Sequence, residues 1–297
     1  MSSSPSDIDP RPGANGEPEP GAEKGVPTLQ RSQALYLTAL TQQLTGWDDP
    51  RAMLAQAIRE GQFLLLAQKI VSLKPGAPDS ILYEILLRLK QEEDHLLPPG
   101  GFFDLAESVG MMEDIDRWVV RAVLAWGAGK LRAKPRAPLM MLCVNVSGTA
   151  LKNPGFTQAV EDELLRSGFP PRRLCFEIGE ADVIADPEAA RRFIQALKPG
   201  CHISITAFGS VKVSFSHLTG LAIDFIKIDG DIIQKIVRDP IELAKVKAIA
   251  LACQKIGIRT IAEFVETKET LDLLRESGVD YVQGFGVARP EPLSNLA

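Results

Sequence analysis

The amino-acid sequence predicts an α/β fold, specifically a closed (β/α)8 barrel of the TIM type whose first strand runs antiparallel to its neighbours. From residue 139 onward, apolar strand-like runs alternate with helical stretches, a pattern typical of parallel strands joined by crossover helices. Eight strand-like runs in about 240 residues match the size of a closed barrel. An open doubly wound sheet is the alternative, but no Gly-x-Gly-x-x-Gly segment follows an early strand.

The antiparallel first strand follows from a short connection. Residues 63–72 and 81–89 have strand-like patterns, and only a turn at residues 74–79 lies between them. A parallel pair needs a much longer crossover, so these two strands are predicted to be antiparallel. The later strands are predicted at residues 139–146, 173–178, 202–206, 222–228, 258–262 and 280–282, and the helices at 113–132, 156–166, 187–198, 238–255 and 267–277.

The chain is expected to divide into three parts. Residues 1–27 hold six prolines, four glycines and five acids, so we expect a disordered tail there. Residues 28–56 are predicted to form an N-terminal helical segment, in which Asp48 or Asp49 caps a helix. This segment either packs on the barrel or binds a partner. Residues 57–297 are predicted to form the barrel domain.

Composition narrows the classes of function. The net charge is -5 and no long basic block occurs, so we expect no nucleic-acid polymer as a partner. The four cysteines show no C-x-x-C spacing, which favours buried, reduced thiols over disulfides or zinc. No run of about 18 apolar residues occurs and the first residues are polar, so we expect a cytoplasmic protein without a membrane segment.

Polar residues stand where strand patterns predict a core. Glu84 and Arg88 share one face of their strand with Leu82 and Leu86. A buried charge is costly unless another group pairs with it. Glu84 and Arg88 cannot pair directly, because four residues of extended strand separate them by about 13 Å.

The same feature recurs at the carboxyl ends of later strands. The residues are Asn145, Glu177, Lys227 with Asp229, Glu263 and Gln283. Any one of them alone is more typical of a cap or a solvated strand end. Their recurrence at corresponding places predicts a site, because active sites of β/α barrels lie at the carboxyl face. Oxygen ligands from glutamate and asparagine favour Mg²⁺ or Mn²⁺ over zinc.

Several segments, taken in order, resemble the EAL domain, the cyclic di-GMP phosphodiesterase family. The resemblance covers about residues 57–295. The segments are Gln68-Lys69-Ile70-Val71, Tyr83-Glu84-Ile85-Leu86-Leu87-Arg88, Asn145-Val146-Ser147, Phe176-Glu177-Ile178-Gly179-Glu180, Phe225-Ile226-Lys227-Ile228-Asp229-Gly230, Ile261-Ala262-Glu263-Phe264-Val265-Glu266-Thr267 and Gly278-Val279-Asp280-Tyr281-Val282-Gln283-Gly284-Phe285. Many ordered matches make the resemblance specific.

The resemblance implies a role for each matching residue. Glu84, within Glu-Ile-Leu rather than Glu-Ala-Leu, would bind one metal with Asn145 and Glu177, and Glu263 would serve a second metal. Lys227 would position the attacking water, so Lys227 and Glu263 are the candidate catalytic residues. Glu180 would stabilise the loop after the strand at residues 202–206. The implied ligand contacts are Gln68, Ile70, Arg88, Asp229, Gln283, Arg289 and Pro290.

The sequence departs from the family pattern at one decisive place. The family has Asp-Asp-Phe-Gly where this chain reads Thr206-Ala207-Phe208-Gly209. Two-metal hydrolysis uses that aspartate pair to hold the cations, and neither a hydroxyl nor a methyl group replaces an anionic ligand. The Mg²⁺ or Mn²⁺ site is therefore expected to be impaired.

Three functions remain compatible with the sequence. The first is a catalytically inactive receptor that binds cyclic di-GMP and signals through a protein partner, with a homodimer as a further possibility. The second is a protein-interaction scaffold that ignores the nucleotide. The third is a weak phosphodiesterase that produces pGpG with one metal held by Glu84, Asn145 and Glu177.

Overall fold

A computed structural model of the chain describes residues 49–74, 81–90, 96–97, 102–134 and 140–296. Eight strands form a closed barrel: β1 (Phe63–Ser72), β2 (Ile81–Lys90), β4 (Met140–Val146), β5 (Leu174–Gly179), β6 (His202–Phe208), β7 (Phe225–Ile228), β8 (Arg259–Ala262) and β9 (Tyr281–Val282). Two short strands extend the sheet, with β3 (Leu96–Leu97) beside β2 and β10 (Glu291–Pro292) beside β1.

Strand pairing closes the sheet as the sequence predicts. Strands β2, β4, β5, β6, β7, β8 and β9 are parallel in that order. Strand β1 runs antiparallel to both β2 and β9 and so closes the barrel. In this register Gln68 lies opposite Glu84 and Ile70 opposite Leu82. The predicted fold class, with its antiparallel first strand, is confirmed.

Helices surround the strands. They are α1 (Pro50–Glu60), α2 (Phe103–Ser108), α3 (Met112–Ala133), α4 (Gly148–Lys152), α5 (Pro154–Ser167), α6 (Glu180–Ala185), α7 (Pro187–Leu197), α8 (Gly230–Lys235), α9 (Pro240–Ile256) and α10 (Lys268–Glu276). Local sequence explains where two of these helices begin. Helix α7 starts with a proline after the capping residue Asp186, and α9 starts with a proline after the capping residue Asp239. None of the helices among the described residues combines the length and apolar character that a membrane crossing requires.

Two hydrophobic clusters hold the barrel together. The larger lies between strands and helices and includes Val144, Phe176 and Ile226. The smaller is made of inward-facing strand residues: Ile70, Leu82, Cys143, Cys175, Phe225, Ile261 and Tyr281. All four cysteines are buried and free of disulfides, as predicted. The smaller cluster fills the barrel below its carboxyl face and forms the floor on which the candidate site rests.

Most predicted elements occur within a few residues of their expected bounds. Strand β1 has the predicted limits, while β7 is shorter than the predicted 222–228 and β6 continues past Thr206 to Phe208. The short helices α2, α4, α6 and α8 were not predicted, because five or six residues are too few to show a helical period. The predicted tail, the helical segment before Asp49 and the turn after Lys74 lie outside the described residues.

Helix α1 packs against the barrel. Asp49 caps it by accepting a hydrogen bond from Ala52 N at 3.0 Å, and Leu54 and Ala57 are buried in the larger cluster. A left-handed glycine, Gly61, ends the helix and turns the chain into β1. The described part of the N-terminal segment therefore shares the hydrophobic core of the barrel, while the predicted division into three domains stays a prediction.

Replacing Leu54 with alanine tests this packing. Because Leu54 is fully buried, Leu54→Ala is expected to lower the free energy of unfolding by about 2–5 kcal/mol. Met53, its neighbour on the exposed side of α1, provides the control, and Met53→Ala is expected to change that free energy by no more than about 0.5 kcal/mol. Urea unfolding measures both, and equal small effects would show that α1 is not part of the core.

Candidate functional site

A polar layer lies directly above the apolar floor of the barrel. Seven of its eight members stand two positions along the chain from a floor residue, because alternate side chains of a strand share one face, and the exception is Ser204 on β6. The layer consists of Gln68 on β1, Glu84 on β2, Asn145 on β4, Glu177 on β5, Ser204 on β6, Lys227 on β7, Glu263 after β8 and Gln283 after β9. The predicted strand-end residues thus converge at the carboxyl face of the barrel.

Lys227 lies at the centre of this layer. Its side chain is 1% exposed, and its Nζ atom lies 2.9 Å from Glu84 Oε2, 3.1 Å from Glu177 Oε2 and 2.9 Å from Glu263 Oε1. Burial alone would lower the pKa of Lys227, but the three carboxylates outweigh burial and hold that pKa well above its ordinary value. The site therefore contains a permanent ammonium ion that three acidic side chains surround.

Glu84 accepts hydrogen bonds from three strands. Asn145 Nδ2 donates to Glu84 Oε1 at 2.8 Å, while Lys227 Nζ and Gln283 Nε2 donate to Glu84 Oε2 at 2.9 and 2.7 Å. Gln283 Nε2 also donates to Gln68 Oε1 at 2.9 Å. Burial would raise the pKa of Glu84, but Lys227 and these hydrogen bonds outweigh it and lower that pKa. Glu84 is the ionised partner of Lys227.

Glu177 and Glu263 have the opposite shift. Burial raises the pKa of Glu177 to about 8, because attraction to Lys227 does not compensate for burial and for repulsion from Glu84 and Glu263. Burial also raises the pKa of Glu263 against the attraction of Lys227. One ammonium therefore stabilises the charge of Glu84 but cannot fully stabilise three buried carboxylates.

Strand β6 contributes no acid to the layer. Ser204, two residues before Thr206 on the same strand face, is fully buried, and the pairing with β7 shifts register between Ile205 and Phe208. Ala207 lies within this irregularity at a φ of 54°, the left-handed region that glycine, asparagine and aspartate adopt most readily. The backbone thus makes a strained turn at the strand end, and the side chain at its apex is a methyl group.

Three buried polar atoms of the layer have no hydrogen-bond partner among the described residues. They are Glu177 Oε1, Ser204 Oγ and Gln283 Oε1. Buried polar atoms of native proteins almost always have a protein, water or ligand partner. Sequence reasoning did not single out Ser204, although its alternation with Thr206 places it on the inward face.

Glu180 lies at the start of α6 and contacts the chain after β6. Its Oε2 atom accepts a hydrogen bond from Gly209 N at 2.9 Å, and its Oε1 atom lies 3.0 Å from His217 Nε2. Sequence reasoning missed His217, since a lone histidine in an irregular segment carries no signal. Glu180 thus connects the end of β5 to the start and the middle of the segment between β6 and β7.

The predicted ligand residues are distributed around the layer. Arg88 is half-buried beyond Glu84 on β2, with Nη1 donating to Leu87 O at 2.7 Å. Arg289 is exposed and precedes Pro290, and Asp229 caps α8 through a hydrogen bond from Asp231 N. Ile70 does not reach the mouth, because it is 1% exposed within the apolar floor.

The arranged side chains do not fit a pair of divalent cations. The Asn145 amide nitrogen and Lys227 Nζ already face Glu84, and Lys227 also faces Glu177 and Glu263. Thr206 and Ala207 supply no anionic ligand. Across the described ranges, no three histidine, cysteine, aspartate or glutamate side chains converge so as to hold a metal ion. The layer as arranged is a carboxylate cage around an ammonium ion.

Removal of the ammonium tests its importance for the fold. Lys227→Met is expected to lower the free energy of unfolding at pH 7 by about 3–5 kcal/mol, because it leaves buried carboxylates without their cation. Lys268 pairs with Asp272 at 2.8 Å on the surface, so Lys268→Met is the matched control and is expected to cost less than about 1 kcal/mol. Similar values for the two variants in urea unfolding would contradict the central place of Lys227.

Comparison with known proteins identifies relatives of the chain. Its sequence matches the family model of the EAL domain over residues 51–290. The cyclic di-GMP phosphodiesterase PdeF of Escherichia coli is 31% identical over 266 residues, which are 89% of this chain and 34% of the relative. The cyclic di-GMP phosphodiesterase PdeB of Shewanella oneidensis is 31% identical over 82% of this chain and 28% of its own length. The chain thus spans about a third of the length of these relatives.

Solved structures show the same barrel. The FimX EAL domain from Pseudomonas aeruginosa bound to c-di-GMP has a TM-score of 0.75 and 30% identity, over 82% of this chain and 96% of that chain. The Xanthomonas citri FimX EAL domain in complex with c-diGMP has a TM-score of 0.76 and 28% identity, over 88% and 99%. With the match over residues 51–290 and the shared barrel, this chain belongs to the EAL domain family.

Proposed function

We propose that the chain binds cyclic di-GMP at the carboxyl face of the barrel and does not hydrolyse it. The observation that carries this proposal is the position of Lys227 Nζ, within 2.9–3.1 Å of Glu84, Glu177 and Glu263. The ammonium lies among the carboxylates that the family resemblance assigns to metals. In this receptor the lysine takes the place of an added cation.

Loss of hydrolysis follows from the end of β6. Two-metal hydrolysis requires anionic ligands that hold both cations and activate water. Thr206 and Ala207 offer a hydroxyl and a methyl group at the family's aspartate positions. A weak one-metal phosphodiesterase would need Glu84, Asn145 and Glu177 to turn toward a cation, and Glu84 and Glu177 would have to leave Lys227 to do so.

Ligand binding is supported by a polar layer that the barrel does not need for its packing. A layer of buried charges lowers stability relative to apolar packing, so a pure interaction scaffold has no need of it. The buried atoms Glu177 Oε1, Ser204 Oγ and Gln283 Oε1 have no hydrogen-bond partner among the described residues, whereas buried polar atoms of native proteins almost always have one. Arg88 and Arg289 near the mouth supply positive charge for phosphate groups. Two similar EAL domains were solved with this nucleotide bound.

The same proposal extends to the cellular setting. The chain would act as a cytoplasmic receptor, and it would relay nucleotide binding to a protein partner or through a homodimer. The helical segment before the barrel and the barrel surface are the parts of the chain outside the nucleotide site that such a partner would contact.

A hydrolysis assay tests the proposed lack of phosphodiesterase activity. It compares the wild-type protein with a variant in which aspartates replace Thr206 and Ala207, called the restored variant. Wild-type protein incubated with cyclic di-GMP and Mn²⁺ is expected to retain radiolabelled nucleotide on a filter and to form no pGpG above the rate without protein. The double variant Thr206→Asp with Ala207→Asp is expected to gain pGpG formation, because aspartate tolerates the left-handed φ of 54° and restores two carboxylates.

Glu84→Gln in the restored variant is the control and is expected to abolish the gained activity. Chromatography of the products separates pGpG from the cyclic nucleotide. Formation of pGpG by the wild-type protein, lost again in Glu84→Gln, would contradict the proposal and establish a weak phosphodiesterase.

A further inference from the structure

A groove lies between α5 and α7 on the outer surface of the barrel. Two turns of each helix form its walls, from Pro154 to Glu161 on α5 and from Ala189 to Ala196 on α7, and the last two residues of α4 also line it. The groove holds about 240 Å³. Small-molecule sites usually measure about 300–1,000 Å³, so this volume suits the inserted side chains of a peptide better than a whole nucleotide.

The floor of the groove is apolar and its rim is basic. Leu151, Ala189 and Phe193 are buried residues that line it. Lys152 and Arg192 are exposed residues that line it, and neither forms an ion pair or a side-chain hydrogen bond with another described residue. The groove therefore combines apolar surface with two cations that have no carboxylate partner in the described part of the chain.

Two acidic side chains lie near these cations without neutralising them. Glu161 is the one acid among the described residues that line the groove. Burial raises the pKa of Asp182, and Lys152 opposes that rise from beyond ion-pair distance. Because neither acid pairs with them, Lys152 and Arg192 remain available to carboxylates that a ligand brings.

The sequence before α1 contains a segment with matching chemistry. Between residues 2 and 25, Ile8 is the only large apolar residue, and it stands between Asp7 and Asp9. Residues 1–27 carry five acidic residues against two basic ones, so this part of the chain is negatively charged. An apolar side chain between two carboxylates is complementary to an apolar floor with a basic rim.

We propose that Asp7-Ile8-Asp9 of the same chain docks in this groove, with Ile8 on the apolar floor and the two aspartates facing Lys152 and Arg192. Docking removes Ile8 from water and gives both cations a carboxylate partner. The segment lies outside the described residues, and its docking brings the N-terminal part of the chain onto helices that follow β4 and β5.

The connection to the barrel is long enough for this docking. Residues 9–48 separate Ile8 from Asp49, where the chain enters α1. An extended chain of this length spans on the order of 130 Å, whereas a domain of about 240 residues has a radius of gyration of about 18 Å. The tether also keeps the segment at an effective concentration on the order of 1 mM, so a weak contact is sufficient.

Disulfide trapping in the full chain tests this docking. In the variant with Ile8→Cys and Ala196→Cys, one thiol replaces the docked side chain and the other stands at an exposed position of the groove. All four native cysteines are buried, so oxidised glutathione is expected to join the introduced thiols by thiol–disulfide exchange, releasing reduced glutathione. The joined monomer is expected to migrate faster than the reduced protein on a denaturing gel.

The variant with Ile8→Cys and Leu165→Cys provides the control. Leu165 is 83% exposed on α5 but does not line the groove. Its disulfide is expected to form about tenfold more slowly, because only random encounters bring those thiols together. Equal rates for the two pairs would overturn the proposal. Disulfide-linked dimers in place of the joined monomer would also overturn it, because the segment would then occupy the groove of a second copy.

Charge reversal separates docking from chance contact. Asp7→Lys with Asp9→Lys is expected to slow disulfide formation in the Ala196 pair about tenfold, to the rate of the control pair. Adding Lys152→Glu and Arg192→Glu to that variant is expected to restore the faster rate, since each ion pair is then present with its charges exchanged. A rate that neither set of substitutions changes would overturn the proposal.

Discussion

The attraction between one buried ammonium and three acidic side chains organises this molecule. Lys227 lies on β7, and its partners Glu84, Glu177 and Glu263 come from β2, β5 and the end of β8, so the contact ties together distant parts of the barrel wall. An ammonium that is 1% exposed would be very costly without these partners. The partners in turn would repel one another without it. Stability and site geometry therefore depend on the same group.

The barrel makes this arrangement possible through its layers. A floor of apolar side chains from seven of the eight barrel strands fills the interior, and each of these seven is matched by a polar residue two positions nearer the carboxyl face. The antiparallel β1 contributes to the same layer because its Gln68 lies opposite Glu84. At the rim, Ala207 and Phe264 both adopt positive φ, one with a methyl group and one with an exposed ring. The rim therefore presents a methyl group at the end of β6 and an aromatic ring just after β8.

Much of this architecture could be predicted from sequence, for physical reasons. Strand alternation has a period of two residues, so Glu84, Asn145 and Glu177 could be assigned to one face, and a short connection determined the direction of β1. The contacts of Lys227 could not be predicted, since Glu84 lies 143 residues away and Glu177 lies 50 residues away. Phe264 gave no sign of positive φ, because only glycine, asparagine and aspartate indicate that conformation. Ile70 lies in the apolar floor, one layer below Gln68, and its role as a ligand contact stays a prediction.

The central claim is that the ammonium of Lys227 supplies the positive charge of the site, so that nucleotide binding needs no added cation. The most direct measurement is the affinity of the wild-type chain for cyclic di-GMP in EDTA, compared with its affinity in Mg²⁺. The account predicts the same dissociation constant in both solutions. Binding that occurs in Mg²⁺ and disappears in EDTA would contradict it, because the carboxylates would then serve a metal ion rather than the lysine.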